Sequence, residues 1–140
     1  MRDNSLQPVV FVDDNEVDLR VAGICYEKSK LCNPLLTFSS GEEFVAYMES
    51  DPAPFPAMVM LDINMPGLCG FDVLEHLRSR EEFREIPVIL MFTHSDDPAD
   101  MSKSTDLGAN GFITKPSSIR DYVEMLNEFA STIVPCVAST

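Results

Sequence analysis

Positive charge is scarce in this chain: 10 lysines and arginines stand against 23 aspartates and glutamates, a formal net charge of −13. Phosphate backbones and anionic lipid surfaces are held by stripes of lysine and arginine, so their absence argues against nucleic-acid or membrane binding. A protein partner or a small ligand is the better expectation. No apolar run approaches the length of a membrane span, and the opening MRDNSLQP lacks the apolar stretch of a secretion signal, which together point to the cytoplasm. The four cysteines, Cys25, Cys32, Cys69 and Cys136, form no C-x-x-C pair, so neither a zinc site nor a redox motif is legible and free thiols are expected. Internal repeats, low-complexity tracts and a linker to a second domain are also missing.

What remains is 140 residues with 45% apolar content, the size of one ordinary domain and enough to bury a core without metal or disulfide support. The expectation is a single domain over 1–140, with its core at about 8–130 and a short tail at 131–140. Five short apolar runs alternate with helical patterns: VVFV (9–12), LLTF (35–38), AMVML (57–61), VILMF (88–92) and GFIT (111–114). That alternation predicts an α/β fold with a doubly wound, five-stranded parallel sheet and five helices. The first, third and fourth runs are apolar throughout, as strands buried on both faces are.

Each helix shows an apolar stripe: Val17, Val21 and Ile24; Phe44, Tyr47 and Met48; Phe71, Leu74 and Leu77; Tyr122, Met125, Leu126 and Phe129. Ser40 with Glu43 has capping-box spacing, Asp97 before Pro98 reads as an N-cap, and Gly108 as a helix stop. The helix over 97–107 is the exception, offering only Ala99, Met101 and Leu107 as apolar surface, and is expected to be the most loosely held.

A doubly wound sheet binds its ligands beyond the carboxyl ends of its strands. Those ends carry Asp13 and Asp14, then Asp62, Thr93, and Lys115 followed by Pro116. Converging carboxylates repel one another unless a cation sits among them. An all-oxygen site with few protein ligands suits Mg²⁺ better than Ca²⁺, so Mg²⁺ is expected at Asp14 and Asp62, with Asp13 holding a metal-bound water. The set fits phosphoryl transfer, in which a carboxylate can be the covalent nucleophile. Asp62, which ends the central strand, is the best-placed acceptor, with Lys115 supplying positive charge and Thr93 a hydrogen bond to the phosphoryl group.

Each feature alone has a plainer explanation. Asp13 and Asp14 could cap the first helix, MPG could be an ordinary turn, and Lys115 could be a solvated strand-end lysine. His76 and His94 read as ordinary surface residues, and the methionines as core filler.

VDDN after the first strand, LDINMPGLCGFDVL at the third, MFTH at the fourth and GFITKP at the fifth resemble the receiver domains of two-component response regulators of the stand-alone chemotaxis type. The resemblance runs from Val9 to about Phe129 and implies strand order 2-1-3-4-5, the flavodoxin-like arrangement. It also implies that a histidine kinase or phosphotransfer protein phosphorylates Asp62, with Mg²⁺ held by Asp14, Asp62 and the backbone carbonyl of Asn64. By the same resemblance Thr93 and Lys115 contact the phosphoryl group, Phe112 changes rotamer as Thr93 moves, and the surface of helix 4, strand 5 and helix 5 signals to a downstream protein target. EEFREIPVI, together with Phe129 and Pro135, is similar to the subgroup paired with phytochrome-type kinases, whose members can form homodimers. His94 stands where the family has a small residue, and Asn64 lies near the path of a hydrolytic water; both leave the phosphoryl lifetime open.

Three other readings compete. A phosphohydrolase of the haloacid dehalogenase type needs a second aspartate two positions after the nucleophile, where this chain has Asn64, which cannot protonate a leaving group. A receiver that binds proteins without being phosphorylated would not need the five site residues that are all present. A flavin protein on this fold would need a phosphate-cradling loop where DDNEVD places carboxylates. The expected protein is therefore a phospho-accepting switch rather than an enzyme in the ordinary sense.

Overall fold

The computed structural model describes residues 7–50 and 55–132. The tail beyond 132, with Pro135 and Cys136, and the opening residues 1–6 lie outside the described residues. In chain order the elements are β1 (Val9–Val12), α1 (Glu16–Lys28), β2 (Leu35–Phe38), α2 (Gly41–Glu49), β3 (Met58–Leu61), α3 (Gly70–Ser79), β4 (Ile89–Thr93), α4 (Pro98–Asp106), β5 (Gly111–Thr114) and α5 (Ile119–Thr132). A single 3₁₀ turn, Glu81–Phe83, follows α3 and was not anticipated. All pairings are parallel, in the order β2-β1-β3-β4-β5, as expected.

Alternation along the strands explains the layers. Val10, Val12, Val59, Leu61, Ile89 and Met91 feed one core with Phe44 and Met48 of α2 and Phe71, Val73, Leu74 and Leu77 of α3. Their neighbours Val9, Phe11, Met58, Met60, Leu90 and Phe92 feed the other, with Ala22 and Cys25 of α1 and Tyr122, Leu126 and Phe129 of α5. Strands β1, β3 and β4 are buried along their whole length. No helix among the described residues is long and apolar enough to cross a membrane.

Several local expectations need correction. The stripe expected on α1 is misplaced: Val17 is 63% exposed and Ile24 is exposed too, while Ala22, Cys25 and Tyr26 face the core. Cysteine and alanine are small enough to seat α1 against the sheet and α5, and Tyr26 satisfies its hydroxyl by donating to the Asn33 carbonyl at 2.6 Å. Burial pushes that phenol up to about 12. Ser40 caps the amide of Glu43 at 3.0 Å, but the Glu43 carboxylate turns back to the amide and hydroxyl of Ser39 instead of closing a capping box on Ser40. Cys25 and Cys69 are free thiols, whereas Cys32 is disulfide-bonded.

Helix α4 is anchored more thinly than its sequence suggested. Ala99 and Met101 are exposed, and Ser104 is its only buried residue. Asp97 caps the Ala99 amide at 2.9 Å, and Pro98 occupies the first turn. At the far end Gly108 adopts φ +97°, its N–H bonding the Thr105 carbonyl while that of Ala109 bonds Ser104; this left-handed stop favours glycine.

Candidate functional site

Strand register assembles the site. Val12 pairs with Leu61, so the next residue on each strand, Asp13 and Asp62, emerges side by side where the sheet changes direction between β1 and β3. Thr93 pairs with Thr114, and the Lys115 amide donates to the Thr93 carbonyl at 2.7 Å, which brings the lysine to the same edge. Asp13, Asp62 and Thr93 are buried, Thr93 to 1% exposure, and Asp14 is exposed.

Side-chain oxygens of Asp13, Asp14 and Asp62 lie within 4.8 Å of one another. Lys115, whose side chain is only 5% exposed, is the cation among them. Its Nζ contacts Asp13 Oδ2 directly, donates to Asp18 Oδ2 at 2.8 Å, and stands 3.8 Å from Asp62 Oδ2. The Thr93 hydroxyl and the Ile63 amide also bond the Asp62 carboxylate. Asn64 is exposed and lies two positions after Asp62, in the loop before α3. Phe112 is half-buried against the core that contains α3.

Electrostatics follow from this packing. Burial raises the Asp62 carboxyl above the ordinary carboxylate value; Lys115 relieves part of that and Asp13 adds to it. Burial alone would lower the Lys115 ammonium, but the hydrogen bonds to Asp13 and Asp18 and the charge of Asp62 outweigh it and carry it upward. The Asp18 carboxyl, which burial would raise, is held low by Lys115 and His94.

The donor set fits a divalent cation. Of the three clustered carboxylates, the buried Asp13 and Asp62 share Lys115, and Asp14 has no ion-pair partner among the described residues. Both oxygens of Asp13 are already engaged, Oδ1 by the Asn15 amide at 2.9 Å and Oδ2 by Lys115. That suits Asp13 to a water-mediated contact, leaving Asp14 and Asp62 for direct ones. The capping alternative does not hold for this pair, because Asn15 is the N-cap of α1, accepting from the Asp18 amide at 3.0 Å.

The β3–α3 loop is fixed from two sides. Gly67 of the MPG turn has φ +73°, and Glu42 of α2 accepts the Leu68 amide at 3.2 Å. Gly70 packs its backbone onto Asp62: a Cβ there would lie 2.2 Å from the Asp62 carbonyl oxygen, and the Gly70 amide bonds the Ile63 carbonyl at 2.9 Å.

The contacts of three residues were not legible in the sequence. Asp18 was missed; its signal was its place in the first turn of α1, four residues after Asp14, where a helix sits over the strand ends. His94 is exposed, as expected of a surface residue, and its Nε2 also meets Asp18 Oδ2 at 3.1 Å. His76 is half-buried beside Phe83, with Glu49 at 3.6 Å.

A family model described as the response regulator receiver domain matches residues 9–127. The chain is 27% identical over 138 residues to the response regulator Rcp1 of Synechocystis sp., covering 94% of this chain and 92% of that one. It is 30% identical over 119 residues to the two-component response regulator ORR3 of Oryza sativa subsp. indica, covering 85% and 87%. Other curated relatives are longer, and the chain spans about half of their length. Its fold is similar to the crystal structure of response regulator RPA3017 in red light signaling of R. palustris, with a TM-score of 0.82, 27% identity, and 94% and 96% of the two chains covered.

Proposed function

Because this chain belongs to the response regulator receiver family of two-component signalling, we propose that Asp62 accepts a phosphoryl group from a histidine kinase or phosphotransfer protein in a Mg²⁺-dependent reaction. The observation that carries this reading is the Asp62 carboxylate itself, which is bonded by Thr93, lies 3.8 Å from Lys115, and shares a 4.8 Å cluster with Asp13 and Asp14. An Asp62 oxygen forms the bond to phosphorus as the donor's phosphorus–nitrogen bond breaks. Burial raises this carboxyl and the Lys115 charge offsets part of that rise, which favours the carboxylate that attacks.

Mg²⁺ would be held by Asp14, Asp62 and the Asn64 carbonyl, with Asp13 reaching it through water. Bound there, the ion supplies positive charge to the phosphoryl oxygens. Lys115 supplies a second positive charge, and the Thr93 hydroxyl, released from the free carboxylate, donates to the phosphoryl group. Phe112 follows Thr93 by changing rotamer. Helix α4 is the element such a local change can bias, since Ser104 is all that it buries. The surface formed by α4, β5 and α5 is thus the output face toward a downstream protein.

We read residues 1–140 as one receiver domain with a core at about 8–130, working in the cytoplasm. The likeness to a regulator of red light signaling fits a phytochrome-type kinase as the donor, and the resemblance of EEFREIPVI, Phe129 and Pro135 to that subgroup is what suggests a homodimer. The protein acts as a switch rather than a turnover enzyme.

Intact mass at short times after adding Mg²⁺ and a small-molecule phosphodonor tests the acceptor. One phosphoryl group gained by the native chain and none by Asp62→Asn is the expected result. Equal labelling of both would overturn the assignment.

A further inference from the structure

The Lys115 ammonium has three protons and three carboxylate neighbours, which it does not serve equally. It contacts Asp13, bonds Asp18 at 2.8 Å, and stays 3.8 Å from Asp62, outside hydrogen-bond reach. Asp18 belongs to no part of the acidic cluster: it rises from the first turn of α1, beside a cavity of about 50 Å³ lined by Phe11, Phe92, His94, Pro116 and Tyr122. His94, the residue after Thr93, fixes the same Asp18 oxygen at 3.1 Å. Lys115 is thus drawn toward α1 and away from the acceptor.

We infer that Asp18, steadied by His94, is a positioning residue that holds the Lys115 charge back from Asp62 and so keeps the acidic cluster open to a divalent cation. The inference rests on the metal reading given above and deepens it. A lysine free of Asp18 would settle between Asp13 and Asp62, because two carboxylates in a buried site attract any nearby cation. There it would compete with Mg²⁺ for the same oxygens. Asp18 supplies a third carboxylate that accepts a hydrogen bond from the ammonium without offering a metal ligand. The chain His94–Asp18–Lys115 also ties the residue next to Thr93 to the lysine, two contacts that one carboxylate oxygen makes together.

Calorimetric titration with Mg²⁺ of the native chain, Asp18→Asn, Lys115→Met and the double variant provides the test. Asp18→Asn is expected to weaken Mg²⁺ binding by about tenfold, and the loss to vanish in the Lys115→Met background. Asp18→Glu is expected to restore most of the affinity. A loss of equal size in both backgrounds would show a simple long-range field and overturn the inference. Should Lys115→Met not fold, a crystal structure of Asp18→Asn decides the matter: Lys115 within hydrogen-bond distance of Asp62 supports the inference, and an unmoved lysine overturns it. Native protein that takes up no Mg²⁺ would overturn the metal reading and this inference together, whereas native uptake unchanged by Asp18→Asn would overturn this inference alone.

Discussion

Arg78 Nε donates to the Gly108 carbonyl at 3.0 Å, which ties the end of α3 to the residue that stops α4. The same guanidinium bonds the Arg84 and Ile86 carbonyls at 3.2 and 3.0 Å and Asn110 Oδ1 at 2.7 Å. Asn110 in turn accepts the Ile89 amide at the start of β4. One side chain therefore holds in place a helix that the core barely grips. Hydrogen bonds to a charged group contribute about 1.5–3 kcal/mol, so Arg78→Met should cost roughly that amount in denaturant unfolding. Hydrogen exchange in α4 should accelerate beyond the global change; uniform acceleration would contradict the tether.

Asp62→Asn should stabilise the protein in chelator at pH 7. The folded-state pKa of Asp62 lies above the ordinary carboxylate value because of burial and Asp13. Such a group binds its proton more tightly folded than unfolded, so its favourable contribution is full below the ordinary carboxylate pKa and lost as pH rises through the folded value. Asparagine removes the buried charge. The melting temperature of the variant should exceed that of the native chain at pH 7, with the gap closing on acidification into the ordinary carboxylate range. A gap independent of pH would contradict this.

Gly70→Ala should disturb the acceptor as well as the fold. The added Cβ would meet the Asp62 carbonyl at 2.2 Å, and backbone must shift to admit it. Overpacking of this kind costs about 1–3 kcal/mol. Phosphoryl uptake should slow more than the stability loss alone explains, measured at a temperature where the variant is fully folded. Uptake at the native rate would show that the glycine serves packing only.

Mg²⁺ should raise the melting temperature, since an ion that binds only the folded chain adds about 2.7 kcal/mol at a hundredfold excess over its Kd. Asp14→Asn should remove most of that gain while changing stability in chelator little, because Asp14 is exposed and has no ion pair among the described residues. An undiminished gain would place the ion elsewhere.

The strands and the acidic edge were legible because both depend on local pattern. VVFV followed by two aspartates, and AMVML followed by one, fix where apolar burial ends and polar chemistry begins, and parallel pairing then sets Asp13 beside Asp62. The stripe on α1 was misread because apolar residues lie all round that helix, and which face is buried depends on α5. Val17 and Ile24 lose to Ala22, Cys25 and Tyr26 through a contact that local spacing does not encode. Asp18 escaped notice for a related reason: an acid in a first helical turn is already explained by the helix dipole. Its contact with Lys115 spans 97 positions and exists only once α1 lies over the strand ends. Gly70 carried no local signal either, since nothing in GLCG tells which glycine touches the acceptor's backbone.

Helix α4 gives the core Ser104 and little else, and its ends are fixed by Asp97, Gly108 and the reach of Arg78. Substitutions on the outer faces of such a helix change stability by only about half a kcal/mol. Its vocabulary of exposed side chains can therefore be rewritten over generations while the acidic cluster at the strand ends stays untouched. A lineage can redraw what this face presents to its surroundings without rebuilding the acidic edge behind it.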